Sequence, residues 1–444
     1  MELKGKKVTV LGLARTGMET ARFLARRGAE VRATDLRPAE ELQRERKTLA
    51  GLPIRFFLGG EDLAALDGVE MLVPSPGVPR QNPLIREAAR RKLEILSEIE
   101  LASRFLSCPL VAITGTNGKS TTTSLVGEML RAANIRSFVG GNIGAPLIGF
   151  AADSWEWGVA EISSFQLEWV ERFRPRIAVL LNLTEDHLDR YPDFDAYAAA
   201  KERIFAAQRE DDVAVLNRDD PRVWSMRERL RARVVSFGWS DVRRGIFAAG
   251  NEIVRRTDGG EERYALSRVR ISGVHNVENL MAAVAAAREA GASPAAVQRA
   301  IDEFPGLEHR LEFVREKDGV RFYDDSKGTN VGAVLKSLRS FSAPVILLAG
   351  GIDKGGDYRI LEEEIRLKVK KLVLFGAAKE VIRRALGDLT ETRVVETLTE
   401  AVDQASRSAA PGDVVLLSPA CSSFDQFQNY AERGKAFQAL VRDL

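Results

Sequence analysis

The chain has 444 residues, 45% of them hydrophobic and 29% charged, which is enough for about three domains with cores of their own. A net charge of +2 leaves no electrostatic footprint for nucleic acid or a membrane surface. The two cysteines, Cys108 and Cys421, have no zinc spacing and imply no oxidising compartment, and no apolar run is long enough to span a bilayer.

In chain order, "MELKGKKVTVLGL" runs straight into a strand pattern rather than a signal-peptide core, so a cytoplasmic protein is expected. "KVTVLGL" predicts a strand, "METARFLARRG" a helix ending at Gly28, "EVRATD" a second strand and "VEMLVPSPG" a later one. Residues 1–97 therefore read as a parallel, Rossmann-like βαβ series. The first turn, "VLGLARTGMETARFL", is a dinucleotide fingerprint with Ala14 where the second glycine would let backbone approach a pyrophosphate. Asp35 ends the next strand, where a ribose-binding acid would lie. A tight strand–helix turn with no ligand accounts for the same residues.

A second series, residues 98–306, contains "PLVAITGTNGKSTTTSLVGEML", which reads as strand, glycine turn and helix. The full phosphate-loop pattern needs a glycine where Ile113 stands, leaving the shorter Gly115-Thr116-Asn117-Gly118-Lys119-Ser120, with Thr121 next. Backbone N–H groups and a free helix N-terminus still suit phosphate, with Lys119 for its oxygens and the Ser120 hydroxyl for Mg²⁺.

The strands "WEWGVAEI" and "RIAVLLNL" follow, with Glu161 ending the first and His187 just beyond the second. Ligands of open α/β sheets gather at such strand ends, so Glu161 could meet the metal held by Ser120. Singly, Glu161 would be a cap or surface acid and His187 a hydrogen-bonding loop residue. In "DFDAYAAAKERIFAAQ", a helix with Phe194, Tyr197, Ile204 and Phe205 towards its apolar side, Lys201 reads as a solvated lysine. Residues 233–272 change character, and Asp258-Gly259-Gly260 predicts a hairpin turn there, part of a small extra β-sheet in the central domain.

"GVHNVENLMAAVAAAREAG" is a helix with Asn276 and Asn279 on one face of its first turn, as caps or as ligand contacts. The third series, residues 307–444, holds the strands "GVRFYDDS", "APVILLAGG", "KKLVLFG" and "DVVLLSPA". The three histidines, His187, His275 and His309, all sit in polar stretches at segment boundaries.

Over nearly the whole chain, "ITGTNGKST", "GGNIGAP", "EISSFQLE", "NLTEDHLDRY", "AAKERIF", "GVHNVEN", "GLEHRLEFV", "DDSKGTNVGA", "LAGGIDKGGD" and "LLSPACSSFDQFQNYAERG" closely resemble the Mur ligases of peptidoglycan synthesis. The short phosphate loop is typical of that family. The resemblance implies α/β architecture in three consecutive domains: a Rossmann-like domain for a UDP-sugar, a P-loop-type central domain for ATP, and a Rossmann-like domain for the incoming amino acid. It implies an ATP-dependent ligase adding D-glutamate to UDP-N-acetylmuramoyl-L-alanine through an acyl phosphate. No Asp-Asn-Pro-Arg motif of the diamino-acid-adding relatives is present.

Residue by residue, the resemblance implies Lys119 on phosphate, and Ser120 with Glu161 on one Mg²⁺. A second Mg²⁺ would fall to His187 and Lys201, the lysine as a carbamate. Asn276, Asn279, Arg310, Asp325 and Lys327 would serve ATP, with His309 flanking them. Arg15, Thr16, Asp35, Arg37, Ser75, Asn142 and His187 would serve the UDP substrate. Thr329, Lys354, Ser423, Phe424 and Tyr430 would serve D-glutamate. Family members often have glycine at Ala14, leucine at Phe424 and phenylalanine at Tyr430. The implied partners are small molecules only, with no nucleic acid and no membrane insertion, and the protein is expected to be a monomer. A folylpolyglutamate synthase-like ligase, a non-catalytic nucleotide-binding regulator and a dehydrogenase are the competing readings.

Overall fold

The computed structural model describes residues 1–271 and 273–444. Five strands, β1 (Lys7–Leu11), β2 (Glu30–Asp35), β3 (Ile54–Leu58), β4 (Met71–Pro74) and β5 (Glu94–Ile95), form a parallel sheet in the order β3-β2-β1-β4-β5. Strand order reverses between β1 and β4, which opens a crevice at their carboxyl ends. Gly12 (φ +90°) lets the chain turn there, and Gly17 lets the next helix, Arg15–Arg26, pack against that turn. A Cβ on Gly17 would lie 1.8 Å from the Gly12 carbonyl oxygen. Gly17→Ala is therefore expected to cost about 2 kcal/mol or more. Denaturant unfolding followed by fluorescence checks this, and an unchanged midpoint would contradict it.

The second sheet has nine strands: β6 (Leu110–Thr114), β7 (Ser137–Gly141), β8 (Trp157–Glu161), β9 (Ile177–Leu180), β10 (Val213–Asn217), β11 (Arg233–Gly238), β12 (Gly245–Ala249), β13 (Glu252–Thr257) and β14 (Gly260–Ala265). Their order is β14-β13-β12-β11-β10-β9-β6-β8-β7. The expected hairpin is β13–β14, turning at Asp258-Gly259. It is not a small sheet of its own as expected: the parallel pair β11–β12 joins it to the main sheet.

The third sheet, β15 (Glu312–Lys317), β16 (Val320–Asp324), β17 (Val345–Gly350), β18 (Val369–Phe375), β19 (Glu391–Val394) and β20 (Val414–Leu417), runs β15-β16-β20-β17-β18-β19, with β15 antiparallel. The architecture is thus three consecutive α/β domains, as expected.

The first and second domains share one continuous apolar cluster, running through Val10, Ile99, Leu147 and Ala160 to Leu216. The other face of the second sheet is covered by the helices Lys119–Ala132 and Val274–Glu289. Among the described residues, no buried apolar cluster joins the third sheet to the second. Polar side chains bridge that junction instead, and there the phosphate loop lies. No helix among the described residues is long and apolar enough to cross a membrane.

Candidate active site

Ile113, at the position of the missing glycine, is a fully buried strand residue paired with Glu161 and Val179. The strand runs on to Thr114, so the loop is confined to 115–118. Gly115 (φ +150°) and Gly118 (φ +87°) supply the turn, and a Cβ on Gly118 would strike Asn279 Oδ1 at 2.1 Å. The loop is tied to the end of β9: the Asn117 N–H donates to Asn182 Oδ1 at 2.9 Å, and the Thr184 N–H to Thr116 Oγ1 at 3.0 Å. Lys119 Nζ donates to the Gly115 and Thr116 carbonyls, both at 2.8 Å. Burial lowers its pKa. The helix that follows begins at Lys119 with no side-chain cap, so its first N–H groups face the cleft.

Lys201 is 1% exposed, which overturns its reading as a solvated helix lysine. Tyr197 lies beneath its ammonium group, 4.8 Å from Nζ to the ring centre, and Nζ donates to the Gly115 carbonyl at 2.9 Å. Burial, reinforced by the charge of Lys119, pulls its pKa well below the ordinary lysine value. Glu161, also 1% exposed, accepts from Asn142 Nδ2 at 2.6 Å through Oε1, while its Oε2 has no partner among the described residues. His187 is half-buried, and burial lowers its pKa, which favours the neutral imidazole a metal would need.

From the third domain, Arg310 donates to Ser120 Oγ at 3.1 Å and Asn330 Nδ2 to Asp186 Oδ2 at 3.2 Å. Lys336 pairs with Glu278 at 3.4 Å, and Lys354 lies 3.9 Å from Asp186 and 3.4 Å from Thr329 Oγ1. Lys327 sits over the Tyr430 ring, 3.8 Å from its centre. Burial, with Arg310 nearby, lowers the Lys327 pKa to about 7. Asp325 accepts from Ser337 Oγ and Ser418 Oγ, both at 2.7 Å, and burial raises its pKa to about 6. The result is a cleft of about 200 Å³ between the second and third domains, with cations converging from both sides.

With its pKa lowered to about 7, Lys327 would carry little charge at pH 8, and a triphosphate beside it would restore that charge. Nucleotide binding at pH 8 is expected to take up roughly one proton, and affinity to fall as pH rises from 7 to 9. Calorimetry in buffers of different ionisation enthalpy measures the uptake. It should disappear in Lys327→Met, and a wild-type protein with no uptake would contradict the placement.

Family models of the Mur ligases match three successive stretches: "Mur ligase MurD-like, N-terminal domain" over residues 6–97, "Mur ligase middle domain" over 113–287 and "Mur ligase, glutamate ligase domain" over 309–421. The UDP-N-acetylmuramoylalanine–D-glutamate ligase of Trichlorobacter lovleyi is 50% identical over all of both chains. The enzyme of the same name from Geobacter metallireducens is 51% identical over all of this chain and 99% of its own. The chain belongs to the Mur ligase family. The fold agrees with that of the MurF ligase of Thermotoga maritima solved with ADP, at TM-score 0.64 and 18% identity over 100% of this chain and 97% of that one.

In this Mur ligase, Thr116, Asn117, Gly118, Lys119, Ser120, Thr121, Asn276, Asn279, Arg310, Asp325 and Lys327 all line the one cleft, with Asn142, Glu161, His187, Thr329 and Lys354. Gly115 and Lys201 lie just beneath it. Asn276 and Asn279 are buried and joined to each other at 3.1 Å, and the helix N-cap is Gly273, so neither is a cap.

His309 lies outside the cleft lining. Its Nδ1 is 2.6 Å from Asp324 Oδ2 and its carbonyl accepts the Lys327 N–H, so it supports the turn presenting Arg310 and Lys327. Glu312 and Asp324 approach it closely enough to suggest a cation site, but Gln438 Nε2 donates to both carboxylates at 3.0 and 2.9 Å.

Arg15, Thr16, Asp35, Arg37 and Ser75 form a separate group at the carboxyl ends of β1, β2 and β4. Asp35 accepts from the Leu13 N–H at 2.7 Å and from the Arg37 guanidinium at 3.0 Å, so much of its capacity goes to ordering the turn. Tyr430 carries Lys327 over its ring, and Lys327 lines the cleft while Tyr430 does not. Ser423 and Phe424 do not line it, and Phe424 is 69% exposed. Asp186, Asn330, Lys336 and His275 line the cleft without having been singled out as site residues. His275 has a pKa lowered to about 4, first by burial and then by Lys336 and Arg310.

Proposed function

We propose that this protein is an ATP-dependent ligase that joins D-glutamate to UDP-N-acetylmuramoyl-L-alanine in peptidoglycan precursor synthesis. The relatives bearing that activity in their name are half identical to it along its full length. The observation that carries the chemistry is the set of cations around a phosphate loop: Lys119 from one side, Arg310, Lys327 and Lys354 from the other.

A carboxylate and an amine at neutral pH form a salt, so the carboxylate must first be activated. One oxygen of the L-alanine carboxylate attacks the γ-phosphorus, the bond to the bridging oxygen breaks, and ADP departs. The D-glutamate amine then attacks the acyl carbon and loses a proton, and phosphate leaves with the oxygen it gained. The first step drives an anion onto a polyanion. Each unit-charge repulsion at about 4 Å costs about 4 kcal/mol at an effective dielectric near 20. Lys119, Lys327 and Arg310 offset it and remain in place for the oxyanion of the second step.

The donor set fits Mg²⁺. The orphaned Glu161 Oε2 and the Ser120 hydroxyl suit one ion, and neutral His187 with Lys201 as a carbamate suits a second. Such ions would neutralise phosphate charge. Lys201 is suited to the carbamate because a neutral amine is what attacks CO₂.

Residues 1–97 would carry the sugar nucleotide through Arg15, Thr16, Asp35, Arg37 and Ser75, with Asn142 and His187 receiving its reactive end. Residues 98–306 would hold ATP, and residues 307–444 D-glutamate through Thr329 and Lys354. The polar junction of the third domain lets it close over ATP and shield the acyl phosphate from water. The enzyme works as a monomer in the cytoplasm.

Phosphate release measured with the sugar nucleotide and a panel of amino acids tests this reading. Release should need both partners and favour D-glutamate over L-glutamate. Release that needs no amino acid, or that prefers L-glutamate, would contradict it.

A further inference from the structure

The turn carrying His187 is fastened to the first domain by groups that take no part in the steps above. Glu168 follows the short helix Ser164–Leu167, and its side chain is 3% exposed. Its carboxylate accepts Arg190 Nε at 3.0 Å, Arg190 Nη2 at 2.8 Å and the Tyr191 hydroxyl at 3.0 Å. The same guanidinium reaches into the first domain, where Nη1 and Nη2 donate to the Gly77 and Val78 carbonyls at 3.3 and 2.9 Å. Those carbonyls belong to the loop after β4 that begins at Ser75. Arg80, further along that loop, donates to the Glu168 carbonyl at 3.2 Å and covers the Trp169 ring at 4.6 Å.

On its other side the Arg190 guanidinium stacks on Phe165 at 4.4 Å, and Phe165 meets the His187 ring edge-on at 4.7 Å. The N–H groups of Arg190 and Tyr191 both donate to the His187 carbonyl at 3.0 Å. His187 itself has φ +56°, a left-handed conformation that a non-glycine residue keeps only where its surroundings impose it.

We propose that Arg190 is a positioning residue that couples the Ser75–Arg80 loop of the first domain to the His187 turn, with Glu168 as its buried anchor. The sugar nucleotide's reactive end then meets a correctly set His187 only when the first domain is docked. This rests on the reading that the first domain carries the sugar nucleotide. A planar fork is required, because one guanidinium must satisfy a carboxylate and two carbonyls while stacking on a ring, and a lysine ammonium cannot do all of these. Removing Arg190 leaves Glu168 with the Tyr191 hydroxyl and with Arg80 at 4.0 Å, and removing Glu168 takes the carboxylate from a buried guanidinium, so the informative variant removes both charges.

The test uses the full chain with a non-hydrolysable ATP analogue and magnesium. Calorimetry measures binding of UDP-N-acetylmuramoyl-L-alanine to wild type, Arg190→Lys and the double variant Glu168→Gln/Arg190→Met. Each is measured again with His187→Ala. Both hub variants should bind the sugar nucleotide about tenfold more weakly, with affinity for the ATP analogue within about twofold of wild type. On the His187→Ala background the further loss should shrink to about threefold or less, because both changes act on one contact. Losses that multiply in full on that background, wild-type binding by Arg190→Lys, or equal weakening of both ligands would overturn the proposal. A wild-type protein that binds no sugar nucleotide would overturn the functional reading instead.

Discussion

Replacing Lys119 by alanine is expected to slow phosphate release by about a thousandfold. The ammonium donates to the phosphate-loop carbonyls of Gly115 and Thr116, both at 2.8 Å, within reach of a phosphate held by that loop. Loss of one unit charge at about 4 Å from a phosphate oxygen removes about 4 kcal/mol at an effective dielectric near 20. If that term is realised in the transition state, it corresponds to roughly three powers of ten in rate. The fold should survive, since alanine suits the first turn of a helix and Lys201 still serves the Gly115 carbonyl. Steady-state phosphate release is the measurement, and a variant within about tenfold of wild type would contradict the assignment.

Lys201→Ala is expected to be equally damaging, and its rescue is more diagnostic. The side chain is enclosed by Tyr197 and the phosphate loop, and burial, with Lys119 beside it, pulls its pKa well below the ordinary lysine value, which favours the neutral amine. The nitrogen lone pair adds to CO₂, one proton is released, and a neutral amine becomes an anionic oxygen donor. Alanine leaves a hollow of the right size and polarity for formate or acetate. Activity should fall by about a thousandfold or more and return in part when a short carboxylate is added. Wild-type activity should also fall in buffer stripped of CO₂ and recover with bicarbonate. A variant that no carboxylate restores, together with a wild type indifferent to CO₂, would rule out the carbamate.

The phosphate loop was legible because everything it needs is contiguous: an apolar strand, two glycines with positive φ, a lysine and a hydroxyl at the helix start. The three α/β series were legible for the same reason. Lys201 was not, because its burial comes from the loop at 115–118 lying over it, 86 residues away in sequence. Helical spacing did carry a signal, since Tyr197 at i−4 and Ile204 and Phe205 at i+3 and i+4 share its face, but that spacing does not say that the phosphate loop covers the face.

Asp186, Asn330 and Lys336 were missed because they matter only once the third domain meets the second. The β15–β16 hairpin did leave a local signal. Asp318-Gly319 takes φ +52° and +76°, the left-handed pair a tight hairpin prefers. For Ser423 and Phe424, likeness to relatives names positions, but Ser423 is buried away from the cleft and Phe424 is exposed outside it.

The central claim is that this cleft turns a carboxylate into an acyl phosphate. Oxygen-18 placed in both carboxylate oxygens of UDP-N-acetylmuramoyl-L-alanine tests it in a single turnover with ATP, magnesium and D-glutamate. The released phosphate should carry one labelled oxygen, and the other should remain in the new amide. Unlabelled phosphate released alongside the amide product would contradict the account.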